Sequence, residues 1–297
     1  MKLKLAIVGY GNLGKGLEKA IEKDDQLSLS AVYSRRNIDN PKFRPLKEIG
    51  QDGDFDVALL ALGSFNEIAE YADKFAHIDT VDSFDTHAKI AEYKHHLNSM
   101  KKDNLSIISV GWDPGLLSLA RGVFSIGANS CSTLWGEGVS QGHSNAIRQI
   151  RGVIDAVQFT RPKDNAMQMI RQGVTDGTKL HERICYVACV EADKESVKKQ
   201  IISMPNYFAD YETYVNFCSP QEVAQLKKRT NHSGRVVCIG DNFEAQTEVT
   251  MDCNTDYTAK IMLAYAKALP HLKKDGYRGV VDVYDIPLRY LADSKLI

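Results

Sequence analysis

Along roughly the first 120 residues, short wholly apolar runs alternate with stretches whose apolar positions recur every three or four residues. Leu3 to Val8 predicts a buried strand, and Leu13 to Glu22 a helix with Leu17, Ala20 and Ile21 on one face. Leu27 to Tyr33 and Asp56 to Leu62 predict two more strands, the latter apolar after its first residue, as suits a parallel strand covered on both sides. Asn66 to Phe75 reads as a helix, Thr80 to Ser83 as a short strand, His87 to Lys102 as a polar helix and Leu105 to Val110 as a fifth strand. Strand and helix in strict alternation imply a doubly wound parallel sheet.

The pattern changes near Pro114, which is placed in the first turn of a helix where its missing N–H costs nothing. Longer alternating runs follow: Ala156 to Thr160, Glu182 to Val190, Tyr211 to Phe217, Arg235 to Ile239 and Ala245 to Asp252, with a helix from Lys194 to Ser203. Such alternation suits an antiparallel sheet with one wet face. A last helix, Tyr257 to Leu272, aligns Ile261, Ala264, Tyr265 and Leu269 and is expected to return to the first domain. The predicted fold is therefore α/β: a Rossmann-type doubly wound parallel sheet plus a second α+β domain with a mostly antiparallel sheet.

Composition narrows the function classes. The chain has 297 residues, 43% of them apolar and 25% charged, enough to build a core. Lys and Arg number 37 against 38 Asp and Glu, which argues against nucleic acid as a partner. No run approaches the length of a membrane span and no secretory leader is expected, so the cytoplasm is the expected compartment. The six cysteines lack any Cys-x-x-Cys spacing and read as small core residues rather than a metal or redox motif; no metal is expected.

Gly9-Tyr10-Gly11-Asn12-Leu13-Gly14 follows the first strand directly and opens a helix. In that setting G-x-G-x-x-G is a dinucleotide fingerprint. Gly9 makes the tight turn, Gly11 lets backbone approach a pyrophosphate, and Gly14 lets helix and strand pack closely. The second strand ends Tyr33-Ser34-Arg35-Arg36, where an NAD enzyme would place an acid. A hydroxyl and two guanidiniums suit the extra phosphate of NADP instead. Gly63-Ser64, after the third strand, falls on the same edge and would line the cofactor, or form an ordinary strand–helix turn.

Two further strand ends carry acids: Val81-Asp82-Ser83-Phe84-Asp85 and Gly111-Trp112-Asp113-Pro114-Gly115. Carboxylates beside a nicotinamide suit an ammonium group and can take the proton lost when an amine is oxidised. Asp113 would serve equally as a helix cap before Pro114, and Asp82 as a group that only bonds the turn.

These motifs, with Trp135-Gly136-Glu137-Gly138-Val139-Ser140-Gln141-Gly142-His143-Ser144, resemble the meso-diaminopimelate D-dehydrogenase family over nearly the whole chain. The resemblance implies a cytoplasmic homodimer that oxidatively deaminates a small diamino diacid at its D-centre with NADP. It places Asp85 and Asp113 by the reacting amine, Trp112 and Trp135 as aromatic walls, and Gln141 and Gly142 near the adjacent carboxylate. Thr160, Arg183 and His232 match the groups that hold the distal carboxylate, and Asn254 a distal polar contact. Residues 1–118 with 255–297 would form the dinucleotide-binding domain, and 119–254 the substrate-binding and dimerisation domain. Blander readings remain for several of these: Arg183 as a surface ion-pair partner, His232 as part of a solvated turn, Trp135 as core, Thr160 as a strand end. Rival functions are a broader NADP-dependent D-amino-acid dehydrogenase and a non-catalytic NADP-sensing regulator.

Overall fold

The computed structural model describes residues 2–50, 54–63, 68, 71–86, 89–229 and 231–292. The chain divides into two compact units, Met1–Leu119 with Thr255–Ile297, and Ala120–Asn254.

The first unit is built on seven parallel strands: β1 Leu3–Val8, β2 Leu27–Ser34, β3 Phe43–Pro45, β4 Val57–Leu60, β5 Thr80–Asp82, β6 Leu105–Ile107 and β14 Gly279–Val281. Their order is β14-β6-β5-β4-β1-β2-β3. The order reverses between β1 and β4, so the loops after these two strands part there and leave room for a ligand at the carboxyl edge. The last four residues of β1 and all of β4 are buried. Alternate residues feed separate cores on the two faces. Leu5, Ile7, Val57 and Leu59 pack with helices α1 (Asn12–Glu22) and α9 (Asn254–Lys274) through Leu17, Met262 and Ala266. Ala6, Val8, Ala58 and Leu60 pack with Leu46, Phe75 and Ile78. Helix α2 (Ile90–Met100) closes a smaller cluster with Tyr93 and Leu97 against Phe84 and Ile108.

The second unit carries two sheets rather than the single one the alternation suggested. A four-stranded sheet, β11-β10-β9-β8, joins β8 Gly138–Val139, β9 Val153–Pro162, β10 His181–Cys189 and β11 Glu212–Phe217. A three-stranded sheet, β13-β12-β7, joins β7 Ser130–Trp135, β12 His232–Ile239 and β13 Glu244–Met251. All pairs are antiparallel except β10 with β11. Helices α4 (Gln141–Arg148) and α7 (Lys194–Ile202) bury Ile147, Val197 and Ile201 on one face of the larger sheet, and α8 (Pro220–Leu226) lays Val223 on the other.

Three expectations need correction. Pro114 does not begin a helix: α3 (Leu116–Phe124) starts two residues later. The Asp113–Pro114 bond is cis, Gly115 has φ +130°, and Gly111 and Gly115 pair as an isolated bridge, so the segment is a tight reversal before the helix. A side chain at Gly115 would run into the backbone of Gly111. Cys131 and Cys238 are not isolated thiols: they oppose one another across β7 and β12 and form a disulfide. A sequence separation of 107 hid that pairing. Of the predicted helix from Asn66 to Phe75, residues 66, 67, 69 and 70 lie outside the described set, and its end, Ala72–Phe75, is a 3-10 turn.

Candidate active site

Gly9 leaves β1 at φ +96°, and its N–H donates to Tyr33 O at 2.8 Å, fixing the fingerprint loop against the end of β2. A Cβ on Gly9 would meet Ala61 of the loop after β4, and one on Gly14 would meet Gly9 itself. A Cβ on Gly11 would meet nothing within 4 Å. The first and third glycines are thus demanded by packing, whereas Gly11 presents bare backbone to open space. Helix α1 begins there with Asn12 and Leu13, with no side-chain cap and no acid in its first turn. Its free N–H groups and dipole suit an anion.

Beside this loop, Ser34 is buried, and its hydroxyl accepts from the Arg36 N–H at 3.2 Å. Arg35 and Arg36 are exposed. On the other side Ala61 N donates to Val8 O at 2.7 Å, which brings exposed Gly63 to the same edge; Ser64 lies outside the described residues. An uncapped helix start, bare backbone at Gly11 and two arginines at the end of β2 fit a phosphorylated dinucleotide.

Further along the edge, β5 and β6 deliver the acids. Asp85 is exposed two residues past Ser83, and Asp113 is half-buried in the turn closed by Gly111 and Gly115. Trp112 is buried beside it, with its carbonyl accepting from Leu117 N. Asp82, which the sequence suggested would only bond the turn, is fully buried and accepts from Phe84 N, Ser109 N and Tyr93 OH. Burial pushes its carboxyl up to about 6.

In the second unit, strand register assembles the proposed distal group. Gly138 on β8 pairs with Thr160 on β9, and Thr160 pairs with Arg183 on β10. The Arg183 guanidinium donates to Thr160 Oγ1 and lies 4.0 Å from the centroid of the Tyr211 ring. A Cβ on Gly138 would strike the His232 ring, so His232 stands against this row. His232 is the first residue of β12 and buried, not part of a solvated turn. Arg183 is buried rather than a surface ion-pair partner. Its Nε has no hydrogen-bond partner, and no carboxylate pairs with it among the described residues. Burial draws the guanidinium below its ordinary pKa.

Trp135 ends β7 and pairs with Gly234. Its main-chain N–H donates to His181 Nε2 at 2.9 Å, and its ring lies 4.9 Å from the His181 ring. Gln141 and Gly142 form the exposed first turn of α4, capped by Ser140, whose N–H donates to Gln158 O. Asn254 starts α9, half-buried, three residues beyond Met251, the register partner of His232.

Two residues of this group were not singled out from sequence. His181, fully buried, lies between Gly177 O at 2.9 Å and the Trp135 N–H, which fixes the proton on Nδ1; burial holds its pKa down to about 4. Tyr211 supports Arg183 from β11's lead-in. The period-two spacing of His181, Arg183 and Cys185 puts all three on one face, a signal that could have found the first. His143, in the same first turn as Gln141, is held down to about 3 by burial and by nearby Arg183. Among the described residues no group of His, Cys, Asp and Glu could hold a metal ion, and no helix is long and apolar enough to cross a membrane.

Residues 111–257 match the family model for the diaminopimelic acid dehydrogenase C-terminal domain. The meso-diaminopimelate D-dehydrogenase of Acetivibrio thermocellus is 38% identical, over 99% of this chain and 95% of its own. Among solved structures, the Corynebacterium glutamicum DAP dehydrogenase in complex with DAP superimposes with a TM-score of 0.92 at 34% identity, covering 99% of this chain and 97% of that one. An engineered D-amino acid dehydrogenase bound to NADP+ gives 0.90 at 33% identity, with the same coverage.

Proposed function

Because this chain belongs to the meso-diaminopimelate D-dehydrogenase family, we propose that it oxidises meso-2,6-diaminopimelate at its D-centre with NADP+ and that water then hydrolyses the resulting imine, releasing L-2-amino-6-oxopimelate, ammonia, NADPH and a proton. The observation that carries the reading is Arg183. A buried guanidinium that faces no carboxylate among the described residues is costly unless an anion completes it. The far carboxylate of a diacid is such an anion, and a planar fork grips it through two parallel bonds. Thr160 and His232 flank that fork, and Asn254 serves as a distal polar contact.

At the other end Asp85 and Asp113 receive the D-ammonium. One of them, or a water they order, takes its proton, because the nitrogen must hold a lone pair before the carbon–hydrogen bond can break. When bound, the nicotinamide supplies the hydride acceptor. Trp112 and Trp135 wall the substrate, and Gln141 and Gly142 hold the carboxylate of the reacting centre. Fixing both ends of the diacid decides which α-carbon reacts. Gly9, Gly11, Asn12, Leu13, Gly14, Gly63 and Ser64 hold the dinucleotide, and Ser34, Arg35 and Arg36 its extra phosphate. The protein acts as a cytoplasmic homodimer, a reading that rests on the family alone; light scattering should give about twice 33.1 kDa.

Mixed with meso-diaminopimelate and NADP+, the protein should form NADPH and ammonia in equal amounts, and do so far more slowly with NAD+. No NADPH, or NADPH without ammonia, contradicts the reading.

A further inference from the structure

Asp82 is the last residue of β5 and has no exposed surface. Its Oδ1 accepts from the backbone N–H of Phe84 at 3.0 Å and from that of Ser109 at 2.9 Å. Its Oδ2 accepts from Tyr93 OH at 2.9 Å, and its main-chain oxygen from Val110 N at 2.7 Å. Three segments therefore meet on one residue: the loop after β5, the loop after β6 and helix α2. Phe84 is buried and stacks on Tyr93 with centroids 4.5 Å apart. Ser109 sits at φ +58°, a backbone conformation uncommon outside glycine and held only where its surroundings fix it. Here its N–H is aimed at Asp82. Asp85 follows Phe84 directly, and Asp113 follows Ser109 by four residues, within the bridged Gly111–Gly115 turn.

We infer that Asp82 is a positioning residue: it ties the loop bearing Asp85 to the loop bearing Asp113 and so sets the spacing of the two acids that receive the amine. The inference rests on the function proposed above. A buried carboxylate is expensive unless its oxygens are filled, and here both are filled by donors that fix loops rather than by a counter-ion at bonding distance. Among the described residues the cation whose field reaches it is Lys101, and its Nζ donates instead to Phe75 O and Ile78 O. Bonds to a charged acceptor are about twice as strong as neutral ones. The arrangement thus stiffens a hinge that would otherwise let each acid move with its own loop.

The test compares wild type with Asp82→Ala, Asp82→Asn and Tyr93→Phe, measuring kcat and KM for meso-diaminopimelate, the Kd for NADPH and Tm. Misplacing a reacting group by about 1 Å costs on the order of 100-fold. Asp82→Ala should lose about that much in kcat per folded molecule, with NADPH affinity within about threefold of wild type. Asp82→Asn, which keeps Oδ1 as acceptor, should recover about tenfold of the loss. Tyr93→Phe should lower kcat several-fold. A merely structural role would lower Tm and leave kcat of the folded fraction unchanged, and that result overturns the inference. So does an Asn variant no better than Ala. Should Asp82→Ala not fold, kcat of Asp82→Asn and Tyr93→Phe both within twofold of wild type overturns it. Wild type inert on meso-diaminopimelate would instead overturn the proposed function, and this inference with it.

Discussion

Arg183 shows how much of the site depends on one side chain being in the wrong solvent. Its guanidinium is buried over the Tyr211 ring and bonded to Thr160, with Nε unfilled. Arg183→Lys keeps the charge but loses the fork, so KM for the diacid should rise about 10- to 100-fold while NADPH affinity stays the same. Asp85→Ala should cut turnover by a similar factor or more and also spare NADPH binding; unchanged turnover would remove Asp85 from the chemistry. Replacing Arg35 and Arg36 together with Ala should weaken NADP+ selectively over NAD+. Equal losses for both cofactors would contradict a phosphate clamp there. The fingerprint and these arginines were legible in the sequence because their spacing is local: a strand, a turn and a helix start lie within a dozen residues. The roles of His181 and Tyr211 were not, because they arise from which strand lies beside which.

At the scale of elements, glycine spacing and strand register do the positioning. The run Trp135-Gly136-Glu137-Gly138 links β7 to β8, and side chains at either glycine would collide with β12, at Ser233 or at His232. Gly138→Ala must therefore push the His232 ring away from the Thr160–Arg183 row. Overpacking of this kind costs about 1–3 kcal/mol; a lower Tm together with a raised KM for the diacid would show it. The disulfide of Cys131 and Cys238 clamps the same two strands, β7 and β12, four residues from Trp135. Reduction should cost about 2–4 kcal/mol of stability, read from urea midpoints with and without dithiothreitol. The alternating runs of β9 to β13 were readable as strands, whereas β8, two residues long, carries too few positions to show a period. Splitting into two sheets was equally invisible, since alternation reports a face and not a neighbour.

Over the whole molecule, desolvated histidines couple stability to pH. Desolvation holds His181 down to about 4 and His143 down to about 3, against an ordinary 6.5, so both stay neutral when folded. Their contribution is complete above pH 6.5 and is lost as pH falls toward 4, because the unfolded chain takes up the protons first. The slope approaches about 1.4 kcal/mol per pH unit for each histidine. Asp82 runs the other way: its folded pKa of about 6 exceeds the ordinary 3.8, so the folded state gains between those values as pH falls. His181→Gln should accordingly be closer to wild type in stability at pH 5 than at pH 7.5, measured by urea unfolding. The proposed function rests on a simpler asymmetry, acids for one end of the substrate and a buried cation for the other. Initial rates of NADP+ reduction with the meso, LL and DD isomers of diaminopimelate and with D-alanine test it most directly. The account predicts rapid reduction with the meso isomer, none with LL, and little with D-alanine, which has no second carboxylate for Arg183. Comparable rates with D-alanine and the meso isomer, or any sustained rate with LL, would contradict it.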